Sequence, residues 1–229
     1  MVKLPDLHYP IEKFMKIDQD RDYIKDLIRK SNNVLILSGN KGNDSLGAAI
    51  SFAIFIDDLY KIPSTVVYPW EFTNINADLL GIYEVKEDLA TSTLKIIIDF
   101  NGTDIESLNY EIEDENKLIL KISPVDLRFN QDRITTKFEG GDFDLIVTVG
   151  IEKLEALGEF YNKYKSKLNS TRIINIDNKN ENTNYGVVNI VESKADTLSS
   201  LVFYKFGQWK YVPSSDASES LLIGMKSIS

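Results

Sequence analysis

The chain has 229 residues, no cysteine, a single histidine and a formal net charge of −9. Without cysteine there is no disulfide, thiolate metal site or thiol nucleophile, and one histidine rules out any mechanism that takes two imidazoles from one chain. The acidic balance argues against broad, unspecific binding to nucleic-acid backbones, which needs clustered Lys and Arg.

Hydrophobic residues make up 43% of the chain, enough for a sizeable core. No run has the length of a transmembrane helix, and the N-terminal MVKLPDLHYP has no apolar signal core. A cytoplasmic protein with no membrane contact is the expectation.

The spacing of Ile11, Phe14, Met15, Tyr23, Ile24, Leu27 and Ile28 predicts a helix from Pro10 to Lys30. Val34 to Leu37 is a short, continuously apolar strand of the kind buried on both faces. A loop, Ser38 to Asn43, leads to a helix from about Ser45 to Leu59, with Asn43 or Asp44 placed to cap it. Thr65 to Tyr68 and Leu94 to Ile98 are two more strands, the second ending in Asp99; residues 70 to 92 give no firm pattern. Residues 108 to 122 alternate around Asp114-Glu115-Asn116 and predict a β-hairpin, expected as an antiparallel addition to the sheet edge. Arg128 to Gly141 is polar and reads as a loop with a short extended piece.

Leu145 to Val149 is a strand, and Glu152 to Lys167 a helix with Leu154, Leu157, Phe160, Tyr161 and Tyr164 as its buried stripe. Arg172 to Ile176 delivers Asp177 to a strand end, followed by the polar loop Asn178 to Asn182. Such strand ends are where open α/β sheets place their sites. Val187 to Val191, then helices over 195–205 and 217–226, complete the pattern. Strands alternating with helices predict an α/β fold, a mostly parallel sheet with helices on both faces, built as one domain over 1–229. The aromatic run Phe203, Tyr204, Phe206, Trp209, Tyr211 reads as helix core entering a packed turn.

The segment RIINIDNKNENTNYGVVNIVESKADTLSSLVFYKF resembles the third motif region of the DHH phosphoesterases. There a strand ends in Asp-His-His, followed by an Asn-rich loop, a Gly, a short strand and a Ser-rich helix. The triplet here is Asp177-Asn178-Lys179. NVLILSGNKGNDSLGAAISFAIFI resembles the first motif region: Ser38 stands at the His position and Gly42 at the first Asp, while Asp44 and Gly47 match. FDLIVTVGIEKLEALGEFY resembles the second, with Gly150 where an Asp is usual. SESLLIGMKSIS resembles the start of the fourth, with Ile228 at its Asp position. The resemblance covers the N-terminal domain of that family, without the substrate-binding domain that usually follows.

The resemblance implies hydrolysis of phosphate esters at two divalent ions, usually manganese, held by Asp and His. Of those ligands only Asp44 and Asp177 remain, with Asp99 as a further strand-end carboxylate. Two carboxylates suit a loosely held Mg²⁺ better than a pair of Mn²⁺ ions, which need a dense ligand set. An ammonium at Lys179, or at Lys41, could neutralise Asp44 and Asp177 if the two faced each other. The cleft candidates are therefore Ser38, Lys41, Asp44, Asp177, Asn178 and Lys179.

The expected function is a catalytically degenerate phosphoesterase-like domain. It would bind a nucleotide, a short oligonucleotide, a protein partner or a second copy of itself. One alternative is an active Mn²⁺- or Mg²⁺-dependent phosphoesterase acting on nucleotides, cyclic dinucleotides or short RNA. The other is a structural subunit of a larger assembly.

Overall fold

The computed structural model describes residues 21–89, 93–99, 107–114, 117–123, 133–139 and 143–227. The chain falls into two compact units: Met1–Leu89 together with Phe143–Ser229, and Ala90–Asp142.

The larger unit is built on a six-stranded sheet in which every pairing is parallel. Its strands are β1 (Val34–Ser38), β2 (Ser64–Val67), β3 (Val85–Lys86), β8 (Leu145–Val149), β9 (Arg172–Asp177) and β10 (Val188–Val191). Their spatial order is β10-β9-β8-β1-β2-β3. β1 and β8 are buried at all five positions, which is why their sequences run apolar without alternation.

Each face of the sheet carries its own core. Val34, Ile36, Val147, Val149, Ile174 and Ile176 pack with helices α1 (Arg21–Arg29), α2 (Gly42–Tyr60), α5 (Leu198–Gln208) and α6 (Ser215–Lys226). Leu35, Leu37, Ile146 and Ile173 face the other way, onto a 3₁₀ turn (Leu154–Leu157) and α4 (Glu159–Ser170). The helix expected over 152–167 is broken at Gly158, whose φ of +59° ends the 3₁₀ turn before α4 starts. Within the stretch that gave no pattern lie α3 (Ala77–Ile82), capped by Asn76 through Asp78 N at 2.8 Å, and the edge strand β3.

α2 is apolar nearly all round, and it is buried from Asp44 through Ala53 without a gap. It approaches α6 so closely that a Cβ on Gly47 would lie 2.3 Å from the Ser220 carbonyl oxygen. Beside it, Phe52, Phe55, Phe206, Trp209 and Tyr211 form one aromatic cluster, with Phe55 and Tyr211 centroids 5.0 Å apart. Of the aromatic run of the sequence, Phe206, Trp209 and Tyr211 are core as expected, whereas Tyr204 is half-buried and Phe203 exposed.

Burial pushes the Tyr211 hydroxyl up to about 12, helped by the Asp58 carboxylate it donates to at 2.5 Å. A phenol whose folded value lies above the ordinary value of about 10 favours the neutral, folded form. Its contribution is complete below about pH 10 and is lost as pH rises through 12. Phenolate absorbance followed against pH should show a late step, coincident with unfolding, that Tyr211→Phe reduces by one phenol.

Among the described residues, the smaller unit contains two separate antiparallel pairs. β4 (Thr93–Ile98) pairs with β7 (Ile134–Glu139), and β5 (Ser107–Glu113) pairs with β6 (Lys117–Ser123). Two expectations are corrected here. The strand ending in Asp99 is not a member of the parallel sheet; its partner is antiparallel β7, in the stretch read as mostly loop. The hairpin exists at the expected residues but forms its own two-stranded sheet rather than extending the main one. His8 and the first part of the helix expected from Pro10 lie outside the described residues.

Candidate functional site

The parallel sheet reverses direction between β1 and β8. The chain leaves β1 through α2 toward β2, and leaves β8 through α4 toward β9, with the two helices on opposite faces. The crevice beyond the carboxyl ends of such strands is the usual ligand position in this architecture. In this protein two glycines bring its walls together. Gly39 N donates to Val149 O at 2.8 Å, and a Cβ on Gly39 would lie 2.0 Å from Gly150 O. Gly150 has φ +73°, and a Cβ there would meet Leu198 Cδ1 at 2.5 Å. The position where the resemblance leads one to expect an aspartate is therefore packed shut.

The bare backbone at Gly150 also opens a path. Lys41, in the loop after β1, passes its Cδ 3.4 Å from where a Gly150 Cβ would be. It crosses the end of β8, two strand spacings or about 10 Å, to the end of β9. There its ammonium meets Asp177 Oδ1 at 2.7 Å and Asn178 Oδ1 at 3.0 Å. Asp177 is fully buried, whereas Lys41 keeps a quarter of its side chain in solvent. Asp177 accepts two further hydrogen bonds: Asn178 N donates to Oδ1 at 2.8 Å and Asn182 Nδ2 to Oδ2 at 2.9 Å.

Asp44 has a different task from the two weighed for it. It lies in the first turn of α2, but it does not cap that helix, and both of its oxygens are committed elsewhere. Its two carboxylate oxygens accept from the first turn of α5, Leu198 N at 2.8 Å and Ser199 N at 2.9 Å. Ser199 Oγ in turn donates to the Asp44 carbonyl at 3.0 Å. A carboxylate on the open amides of a helix start completes hydrogen bonds the helix cannot make and complements its dipole, a contribution of about 1–2 kcal/mol.

Behind Asp177 lies a network of amides. Asn175, at an inward position of β9, donates to Asn182 Oδ1 at 2.7 Å and to Asn189 Oδ1 at 3.0 Å. Asn182 Nδ2 also reaches Ile151 O at 3.0 Å, and its Oδ1 accepts from Asn184 N at 2.9 Å. The Tyr185 hydroxyl sits 2.8 Å from Thr148 Oγ1 and 2.9 Å from Ile151 O. Burial raises its pKa well above the ordinary phenol range, with a smaller push from the charge of Asp177. These bonds pin the Asn-rich loop to the ends of β8 and β9, so Asp177 cannot turn away from Lys41. Asn175 and Asn182 were not among the sequence candidates. The signal for Asn175 was present: a polar residue inside the otherwise apolar IINID.

In front of the pair is an open cavity of about 430 Å³, lined by Lys41, Gly42, Asn43, Asp44, Asn74, Asn178, Lys179, Asp196 and Ser227. Four of the sequence candidates, Lys41, Asp44, Asn178 and Lys179, thus share one cleft, with Asp177 buried behind Lys41. Ser38 is fully buried and does not line it; its carbonyl accepts the Trp70 indole N–H at 3.3 Å. Lys179 is exposed, and Lys41, not Lys179, closes on the buried carboxylate. Among the described residues no three His, Cys, Asp or Glu side chains converge as a metal-ligand set, and no helix is long and apolar enough to cross a membrane.

No protein-family description matches this sequence, and no curated protein does. Among solved structures, an exopolyphosphatase-related protein from Bacteroides fragilis superposes with a TM-score of 0.53 at 13% identity, over 90% of this chain and 48% of the other. The chain therefore spans about half the length of that structure. At that identity the likeness is one of fold alone, an α/β architecture.

Proposed function

We propose that the cleft is a metal-free binding site and that the chain does not hydrolyse phosphodiesters. The observation that carries this reading is the 2.7 Å contact between the Lys41 ammonium and the buried Asp177. An ammonium in contact with a carboxylate takes the position a cation would need and repels a second one. Asp44 has both oxygens committed to α5, and Gly150 leaves no room for an acid. The residues present do not fit a pair of divalent ions, which requires several free anionic or imidazole donors around each.

The ligand we favour is a nucleotide or short oligonucleotide held by a phosphate. The cavity has small-ligand size, opens at the carboxyl ends of the strands, and presents the Lys41 and Lys179 side chains with the amides of Asn43, Asn74 and Asn178. Lysine binds phosphate as a point charge, so affinity should fall with salt.

Calorimetric titration with a 5′-phosphorylated dinucleotide is expected to show binding that weakens about tenfold in Lys179→Ala, the loss of one charge-assisted contact. A generic phosphodiester incubated with Mn²⁺ should be released no faster than the blank. Turnover abolished by Asp177→Ala would overturn the non-catalytic reading. Absence of any binding by the wild type would overturn the assignment of the ligand.

A further inference from the structure

The hairpin of the smaller unit has two unlike faces. On one, the cross-strand pairs are Leu108 with Ile122, Tyr110 with Leu120, and Ile112 with Leu118. On the other are Ser107 with Ser123, Asn109 with Lys121, Glu111 with Ile119, and Glu113 with Lys117, a face that is polar but for Ile119, with Glu111 and Lys121 in an ion pair at 2.5 Å. Alternation of this kind belongs to a sheet with one face covered and one in water. Yet among the described residues the apolar face is open: Leu108 is 66% exposed, Tyr110 72%, Ile112 66%, Leu118 63% and Leu120 41%. A two-stranded hairpin is marginal by itself and needs a third strand or a covering layer.

We propose that this face is covered by the same face of a second copy of the chain. The area argues for it. With about 200 Å² for a fully exposed large side chain, the five residues present roughly 600 Å² on each copy. Two copies face to face would bury about 1,200 Å², the lower edge of a specific interface. Composition argues for it too. The chain carries a net charge of −9, so copies repel over most surfaces, but the three cross-strand pairs contain no charged residue. A flat strip with the same apolar character at both ends is self-complementary, which is what an interface about a two-fold axis requires. The Glu111–Lys121 pair stays on the outer face, in water.

Sedimentation of the full chain over about a hundredfold range of concentration tests this. The wild type should move from monomer to dimer. A Leu108→Thr, Ile112→Thr, Leu118→Thr variant keeps strand propensity but should stay monomeric, with the same far-ultraviolet spectrum. The absence of native cysteine allows a second reading that does not depend on the triple variant's folding. Leu120→Cys, on the apolar face, should join two chains through a short bis-maleimide, whereas Asn109→Cys, on the polar face, should not. A wild type monomeric throughout, a dimer that the triple variant retains, or equal cross-linking through both positions would each overturn the proposal. The first outcome would mean that the face awaits a different partner.

Discussion

Replacing Lys41 with methionine should destabilise the larger unit by about 3 kcal/mol, the lower end of what is lost when one member of a buried ion pair is removed. The reason is what stays behind. Asp177 is fully buried, and without Lys41 its charge would rest on two neutral donors, Asn178 N and the Asn182 amide. The lower end applies because Lys41 keeps a quarter of its side chain in solvent, where water already screens part of the attraction. In a domain of this size the change corresponds to a fall in melting temperature of roughly 6–12 °C.

Asp177→Asn alone leaves an ammonium that can turn to water, so its cost should be smaller. The double variant should recover part of the Lys41→Met loss. A coupling energy above about 1 kcal/mol in that cycle, read by urea unfolding with tryptophan fluorescence, is the expected outcome. Both tryptophans, Trp70 and Trp209, lie in the larger unit, so the signal reports the right body. Additive single effects would show that the contact is incidental.

Gly150→Asp should cost a comparable amount, about 2–5 kcal/mol, from two sources that can be separated. A φ of +73° is a conformation that residues with a Cβ adopt at a cost of about 1–2 kcal/mol. The new Cβ would also sit 2.5 Å from the Cδ1 of Leu198, a fully buried side chain at the head of α5, and overpacking adds about 1–3 kcal/mol. Gly42→Ala provides the control. Gly42 has φ +59° but nothing within 4 Å of the added Cβ, so only the conformational part should appear. If the two substitutions cost the same in urea unfolding, the steric account of Gly150 is wrong.

The main sheet was legible because burial on both faces writes a short apolar run into each strand. Val34–Leu37, Leu145–Val149 and Ile173–Ile176 could be found from composition alone, and the helices between them from apolar spacing. Leu94–Ile98 carried the same signal and misled, because an apolar strand says nothing of its partner; parallel β1 and antiparallel β4 look alike in one dimension. The hairpin was legible locally, through alternation around Asp114, but its attachment was not.

At the site, residue types were readable and pairings were not. Asp177 at a strand end and Lys41 in a loop lie 136 positions apart. Only the strand order β9-β8-β1, with a glycine on the strand between, lets one reach the other. Asp44 carried the composition of a local helix cap, yet its amides belong to a helix more than 150 residues away. Of the two lysines weighed from the sequence, Lys41 is the one that closes on the buried Asp177, while Lys179 is exposed.

The packing around Gly150 bears on what this crevice can become. An acidic side chain can arise at position 150 by a single codon change, but it would arrive at a positive φ with its Cβ against the side chains of Leu198, Lys41 and Ser45. A third carboxylate there requires Leu198 to move and Lys41 to go elsewhere. The cost in folding would come with the first such substitution, ahead of any gain in chemistry.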